Sequence, residues 1–187
     1  MKKKFEDLNG VYKLSLLHED TYFNMPKELR DFRNTDEALR IRKSIEFQGD
    51  INDLENRSIK YYLTYKGKKI DLSTKSRNEL EVKVSDGRQL KEILKSLGFR
   101  EIFTVKKERE LYEFNYKENI VEALIDYIPI LKEYFIEVEI QVDTNDELDD
   151  ARDILFNFLS QFGIKRENSI RKSYLELIIE RFRAKNM

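Results

Sequence analysis

Apolar and polar residues alternate along most of the first three quarters of the chain, the period of a strand that buries one face. Residues 13–24, 38–43, 60–67, 76–84, 102–116, 120–126 and 134–142 carry that period and read as strands. Elsewhere the spacing lengthens to that of a helix. Leu90, Ile93, Leu94 and Leu97 fall at i, i+3, i+4 and i+7 and stop at Gly98, a helix with a C-terminal glycine. Thr144 and Glu147 have the spacing of a capping box ahead of Leu148, Ala151, Leu155, Phe158, Leu159 and Phe162, closed by Gly163. A last helix is expected from about Ser173, carrying Leu175, Ile178, Ile179 and Phe182. Leu8-Asn9-Gly10 before a strand resembles Leu97-Gly98-Phe99 before a strand, so residues 2–8 read as the tail of a further helix. The polar stretch 44–58 reads as a long loop. The fold class is α+β with a mostly antiparallel sheet, in a single domain over 1–187.

The same period sorts the charges onto one face, because residues two apart in a strand point the same way. Arg40 pairs with Arg42, Thr64 with Lys66, Lys107 with Arg109, and Glu137 with Glu139 and Gln141. Lys75, Arg77, Glu79, Glu81 and Lys83 share one side, opposite Leu80, Val82 and Val84. The apolar side is the one expected to carry the helices. An ionic face of this kind is either solvated and laced by cross-strand pairs or turned inward around a cavity. Some strands supply only cations and one only carboxylates, which favours a shared site over local pairing. Crowded cations call for an anion, arginine forks suit phosphate oxygens, and paired carboxylates suit Mg²⁺ completed by phosphate.

Composition then removes alternatives. In 187 residues, 38% are charged, yet 35 Lys+Arg against 36 Asp+Glu leave a formal net charge of −1, so the whole molecule is no nucleic-acid binder by charge. Without cysteine there is no disulfide scaffold, thiolate metal site or cysteine nucleophile. His18 is the sole histidine, which makes a multi-histidine metal site or a Ser/His/Asp triad a poor fit; it has no evident partner and reads as a surface or edge residue. No apolar run is long enough to span a membrane, and Met1-Lys2-Lys3-Lys4 is not followed by the apolar stretch of a signal peptide. A cytoplasmic protein is expected, and a homodimer is left open.

A series of motifs, in order, resembles the CYTH domain, the triphosphate tunnel metalloenzymes. They are His18-Glu19-Asp20-Thr21-Tyr22-Phe23-Asn24, Thr35-Asp36-Glu37-Ala38-Leu39-Arg40-Ile41-Arg42 and Leu63-Thr64-Tyr65-Lys66-Gly67. Lys75-Ser76-Arg77-Asn78-Glu79-Leu80-Glu81, Leu97-Gly98-Phe99, Val105-Lys106-Lys107-Glu108-Arg109 and Phe135-Ile136-Glu137-Val138-Glu139 follow. The first two blocks are most similar to the class IV adenylyl cyclase (CyaB-like) branch, and the match spans about residues 10–180.

The resemblance implies a closed, eight-stranded antiparallel β-barrel with helices outside, a tunnel for a nucleoside or inorganic triphosphate with Mg²⁺ or Mn²⁺. By motif match Arg40, Arg42, Lys66, Arg77, Lys107 and Arg109 would hold phosphates, and Glu137, Glu139, Asp126, Glu79 and Glu81 would hold metal. Asp20 and Tyr22 read as structural or as lying at the tunnel mouth. The family's opening Glu-x-Glu-x-Lys strand has no match in residues 1–5, so the first strand is expected to be missing. After Asp126, Pro129-Ile130-Leu131-Lys132 replaces the family's Leu-Gly turn. The reaction implied is ATP to 3′,5′-cyclic AMP and pyrophosphate. The same clamp also serves a metal-dependent triphosphatase or, without the missing metal-binding strand, a non-catalytic polyphosphate-binding module.

Overall fold

Long alternating segments leave every strand with one face to bury, and here they pair into a single curled antiparallel sheet. The structure, a computed structural model, describes residues 1–48, 56–71, 73–142 and 144–185. In chain order it contains α1 (Lys2–Asp7), β1 (Val11–Asn24), β2 (Ala38–Phe47), β3 (Arg57–Lys66), β4 (Glu79–Val84) and α2 (Gly87–Ser96). Then come β5 (Arg100–Tyr116), β6 (Asn119–Ile128), β7 (Glu133–Glu139), α3 (Leu148–Ser160) and α4 (Tyr174–Lys185). The seven-stranded sheet runs β4-β3-β2-β1-β5-β6-β7.

The expected closed eight-stranded barrel is not what forms. β4 and β7 are the two edges, with no ladder between them among the described residues. Residues 76–78, read as the start of a strand, are irregular instead. Here a polar side chain competes with the ladder: the Ser76 amide donates to Thr74 Oγ1 at 3.3 Å. Within the stretch read as a loop over 44–58, β2 runs on to Phe47 and β3 begins at Arg57; residues 49–55 lie outside the described residues.

Three helices pack on the outer face. α2 is capped by Asp86, which accepts from the amides of Arg88 and Gln89, and ends at Gly98 with φ +86°. Its Leu94 meets Phe23 and Ile41. On β5 and β6, Tyr112, Phe114, Val121, Ala123 and Ile125 form a cluster with Phe5 of α1 and Phe158 of α3. α1 is too short to hold itself; what fixes it is Phe5, fully buried with its ring edge-on to Tyr112, Phe114 and Phe162. Gly10 permits that approach, since a Cβ there would stand 2.4 Å from Cζ of Phe114.

α4 departs from the expectation that every helix covers the apolar side. It packs at one end of the inner face, where Tyr174 and Ile178 meet Val105, Ile128 and Leu131. Val105 lies two residues from Lys107, so the inner face changes from ionic to apolar along β5, and α4 covers the apolar part. A reciprocal capping box starts this helix, the Ser173 amide donating to Glu176 Oε2 at 2.7 Å and the Glu176 amide to Ser173 Oγ at 3.3 Å.

Truncating Phe5 to alanine should destabilise the fold by about 3–5 kcal/mol, the cost of deleting a fully buried aromatic, read from urea denaturation. A loss below about 1 kcal/mol would show that α1 is not integral to this core.

Candidate functional site

Register decides which side chains meet. Residues directly opposite in adjacent strands share a face, and the ladders place Arg40 opposite Tyr22 and Thr64, Arg42 opposite Asp20 and Tyr62, and Lys66 opposite Glu79. Lys107 lies opposite His18, Arg109 opposite Asp126, and Glu137 opposite Leu124. One concave face therefore gathers Arg40, Arg42, Lys66, Lys107 and Arg109 with Asp126, Glu137, Glu139, Glu79 and Glu81.

At its centre is Asp20, 1% exposed. Arg42 grips its two oxygens through Nε and Nη2 at 2.7 and 2.9 Å. Arg40 approaches at 3.4 Å and Lys107 at 3.5 Å. Burial opposes ionisation of Asp20, but Arg40, Arg42 and Lys107 outweigh it and hold the carboxyl well below its ordinary value. A second knot lies across β5–β7. Arg109 donates to both oxygens of Asp126 at 2.8 and 2.6 Å and to Glu137 Oε2 at 2.7 Å, while the Tyr174 hydroxyl donates to Asp126 at 2.7 Å.

The cations are not equally occupied. Arg42 and Arg109 are each locked in a forked carboxylate pair. Arg40 donates to Thr64 Oγ1 at 3.0 Å but leaves its buried Nε without a partner among the described residues. Among the described residues Lys107 has a long contact to Asp20 at 3.5 Å and the Tyr174 ring 5.5 Å away. Spare donors thus lie at Arg40 and Lys107, in the deepest part of the face. At the β3–β4 end Lys66 pairs with Glu79, and its pKa is lowered by burial and by Arg40. Arg77 stands apart from this grouping: it donates to the carbonyls of Gly67 and Asp36 at 3.1 and 3.4 Å and braces the segment leading into β4.

Two carboxylates on β7 behave as a like-charged pair. Burial works against ionisation of Glu137, but Arg109, Lys107 and Lys75 outweigh it and keep the residue ionised, well below the ordinary range. Glu139 is exposed by surface area, yet enough protein surrounds it that desolvation, with Glu137 beside it, raises its pKa. Such a split marks a place where a cation would relieve repulsion. No three His, Asp or Glu side chains converge as a complete metal cage among the described residues. Two oxygen-donor side chains with phosphate and water completing the shell is nonetheless the arrangement a hard ion such as Mg²⁺ accepts. Asp126 is less available, since Arg109 and Tyr174 already occupy both its oxygens. Glu81 accepts from Thr64 at 2.7 Å.

An open concavity of about 930 Å³ lies elsewhere, a shelf along α2 bounded by Asp86, Lys91, Ile93 and Leu97. It carries no comparable grouping of charges, and the ionic face, filled by its own side chains, is the better candidate.

Three residues escaped the sequence reading in their actual roles. His18, expected at a surface or edge, is 5% exposed on the inner face. Asp20 is the counter-charge of three cations, which its place in the alternation with His18 and Tyr22 could have indicated once register was known. Tyr174 had only a Ser-x-x-Glu start signal ahead of it.

The model of the CYTH domain family matches residues 4–174, and the chain belongs to that family. A protein of Methanocaldococcus jannaschii named a putative adenylate cyclase is 39% identical over 177 residues, covering 95% of this chain and 83% of that one. A solved structure from Pyrococcus horikoshii superposes with a TM-score of 0.80 at 35% identity, covering 97% of this chain and 94% of that one. A structure described as a putative adenylate cyclase from Vibrio parahaemolyticus, at 15% identity, shares the fold with a TM-score of 0.74 over 95% of this chain and 88% of that one.

Lys107 should leave a signature in stability. Burial, Arg109 and Arg42 push its pKa down to about 7, against 10.5 as the ordinary value, with Asp20 and Asp126 pulling the other way. Between those values the unfolded chain binds more protons than the folded one, so this residue makes stability rise with pH. Lys107→Met should flatten that rise in urea melts taken between about pH 7.5 and about pH 9.5. Equal slopes in both proteins would contradict the assignment.

Proposed function

We propose that this chain is a class IV adenylyl cyclase-like enzyme that binds ATP as a metal–triphosphate on the inner face and converts it to 3′,5′-cyclic AMP and pyrophosphate. The observation that carries the reading is the convergence of Arg40, Arg42, Lys107 and Arg109, all nearly buried or half-buried, beside the Glu137–Glu139 pair. Buried cations with unfilled donors favour a polyanion, and the name of the Methanocaldococcus relative supports cyclisation as its chemistry.

In this reading Arg40, Arg42, Lys107 and Arg109 bind phosphate oxygens, and Lys66 and Arg77 supply charge at the β3–β4 end. Asp20 and Asp126 aim the arginine forks. Glu137 and Glu139 would hold a divalent cation, Mg²⁺ or Mn²⁺, with Glu79 and Glu81 as further oxygen donors. When bound, that cation supplies counter-charge to the phosphates and makes the ribose 3′-hydroxyl easier to deprotonate. The 3′-oxygen attacks the α-phosphorus, its proton passes to solvent, and the bond from that phosphorus to the bridging oxygen breaks. Pyrophosphate leaves with the bond's electrons, and the fixed cations stabilise the charge it gains.

The test is product analysis after incubation with ATP and, separately, inorganic triphosphate, using Mg²⁺ or Mn²⁺ at neutral and alkaline pH. Cyclic AMP with pyrophosphate is the expected result. Orthophosphate without cyclic product would assign a triphosphatase instead, and binding without turnover a polyphosphate-binding module. Arg40→Ala should weaken triphosphate binding by about 1.5–3 kcal/mol, the scale of a hydrogen bond to a charged group; unchanged affinity would remove Arg40 from the site. Glu139→Gln should depress metal-dependent turnover while metal-free tripolyphosphate binding is kept, and loss of both would speak against a metal role.

A further inference from the structure

One buried group on the inner face is left unused by the clamp. His18 is the chain's sole histidine, and it lies on β1 between the cations of β2 and β5. Its Nε2 lies 3.1 Å from Ser44 Oγ, while Nδ1 has no hydrogen-bond partner among the described residues and no contact with solvent. A buried polar atom left in that state is costly, and few persist in folded proteins without a role. Arg40 Nε, on the same face, is in the same condition.

The charged groups acting on the ring are Arg42 from β2, Lys107 and Arg109 from β5, and Asp20 from its own strand. Burial first, then Arg42 and Lys107, hold the imidazole far below its ordinary pKa, against the opposing pull of Asp20. In the free protein the ring is therefore neutral, which spares the site another positive charge. A bound polyanion works against the part of this balance that the cations supply. Its negative charge offsets the neighbouring cations, the ring gains affinity for a proton, and a protonated Nδ1 becomes a donor. Ser44 Oγ can accept from Nε2 in either state.

We infer that His18 is a further anion-binding residue of this site, its Nε2 remaining on Ser44 while Nδ1 takes up a proton from solvent and donates to a phosphate oxygen. The inference rests on the triphosphate reading above and adds to it that binding consumes a proton, so affinity falls as pH rises.

Because the chain holds one histidine, its imidazole signals in nuclear magnetic resonance are unambiguous. The native protein, labelled at histidine, is titrated between about pH 5.5 and about pH 8.5 free and saturated with inorganic tripolyphosphate in EDTA, with binding measured in parallel by calorimetry. Without tripolyphosphate the ring should stay neutral across the range; with it, a protonation step should appear. If calorimetry shows binding and the ring stays neutral, the inference is overturned and the triphosphate reading stands. If tripolyphosphate does not bind, both fall. His18→Gln provides a second readout: affinity about tenfold weaker near pH 6, with the loss shrinking toward pH 8.5. A loss of equal size at every pH would make His18 a packing residue and overturn the proposal.

Discussion

A buried carboxylate surrounded by cations is the constraint on which the rest of the molecule depends. Asp20 lies almost fully enclosed with Arg42 forked onto it and Arg40 and Lys107 close by. Separated from that carboxylate, those cations would repel one another in surroundings of low dielectric. Their balance ties β1, β2 and β5 together, because cations from two of these strands share one carboxylate on the third. Arg109, held between Asp126 and Glu137, extends the arrangement to β6 and β7. Part of the cationic donor capacity, Arg40 Nε above all, stays unfilled among the described residues.

Motif residues at the end of β1 and in the loops hold this face in shape. Asn24 accepts from the amides of Met25 and Phe32 and donates to Asp31, closing the turn after β1. Asp36, at φ +55°, accepts from the amide and the ammonium group of Lys69, and Arg77 donates to its carbonyl. Glu37 joins Tyr65 and Arg30. Several residues of the sequence motifs thus build the loops around the face, while Arg40, Arg42, Lys107 and Arg109 lie on the face itself.

Membership of the CYTH family agrees with this arrangement, and the similarity to the Pyrococcus structure extends over nearly the whole chain. α4 adds a feature that the alternation did not foreshadow. By placing Tyr174 on Asp126 and beside Lys107, it closes one end of the inner face and couples the C-terminal helix to the second charge knot. Anything that shifts α4 would act on Arg109 through Asp126.

Alternation along 13–24, 102–116 and 134–142 by itself determined those strands and put Lys107 with Arg109, and Glu137 with Glu139, on common faces. Helical spacing located α2 and α3 for the same reason: each period is a local geometric property of the backbone. What no local period contains is the pairing of distant strands. Only the register of β1 against β2 and β5 placed Asp20 among three cations and His18 beside Lys107, making a lone histidine and a motif aspartate buried members of the ionic face. The openness of the sheet between β4 and β7 and the docking of α4 on the inner face were likewise decided in three dimensions, since both depend on which surfaces remain to be covered after the strands have paired.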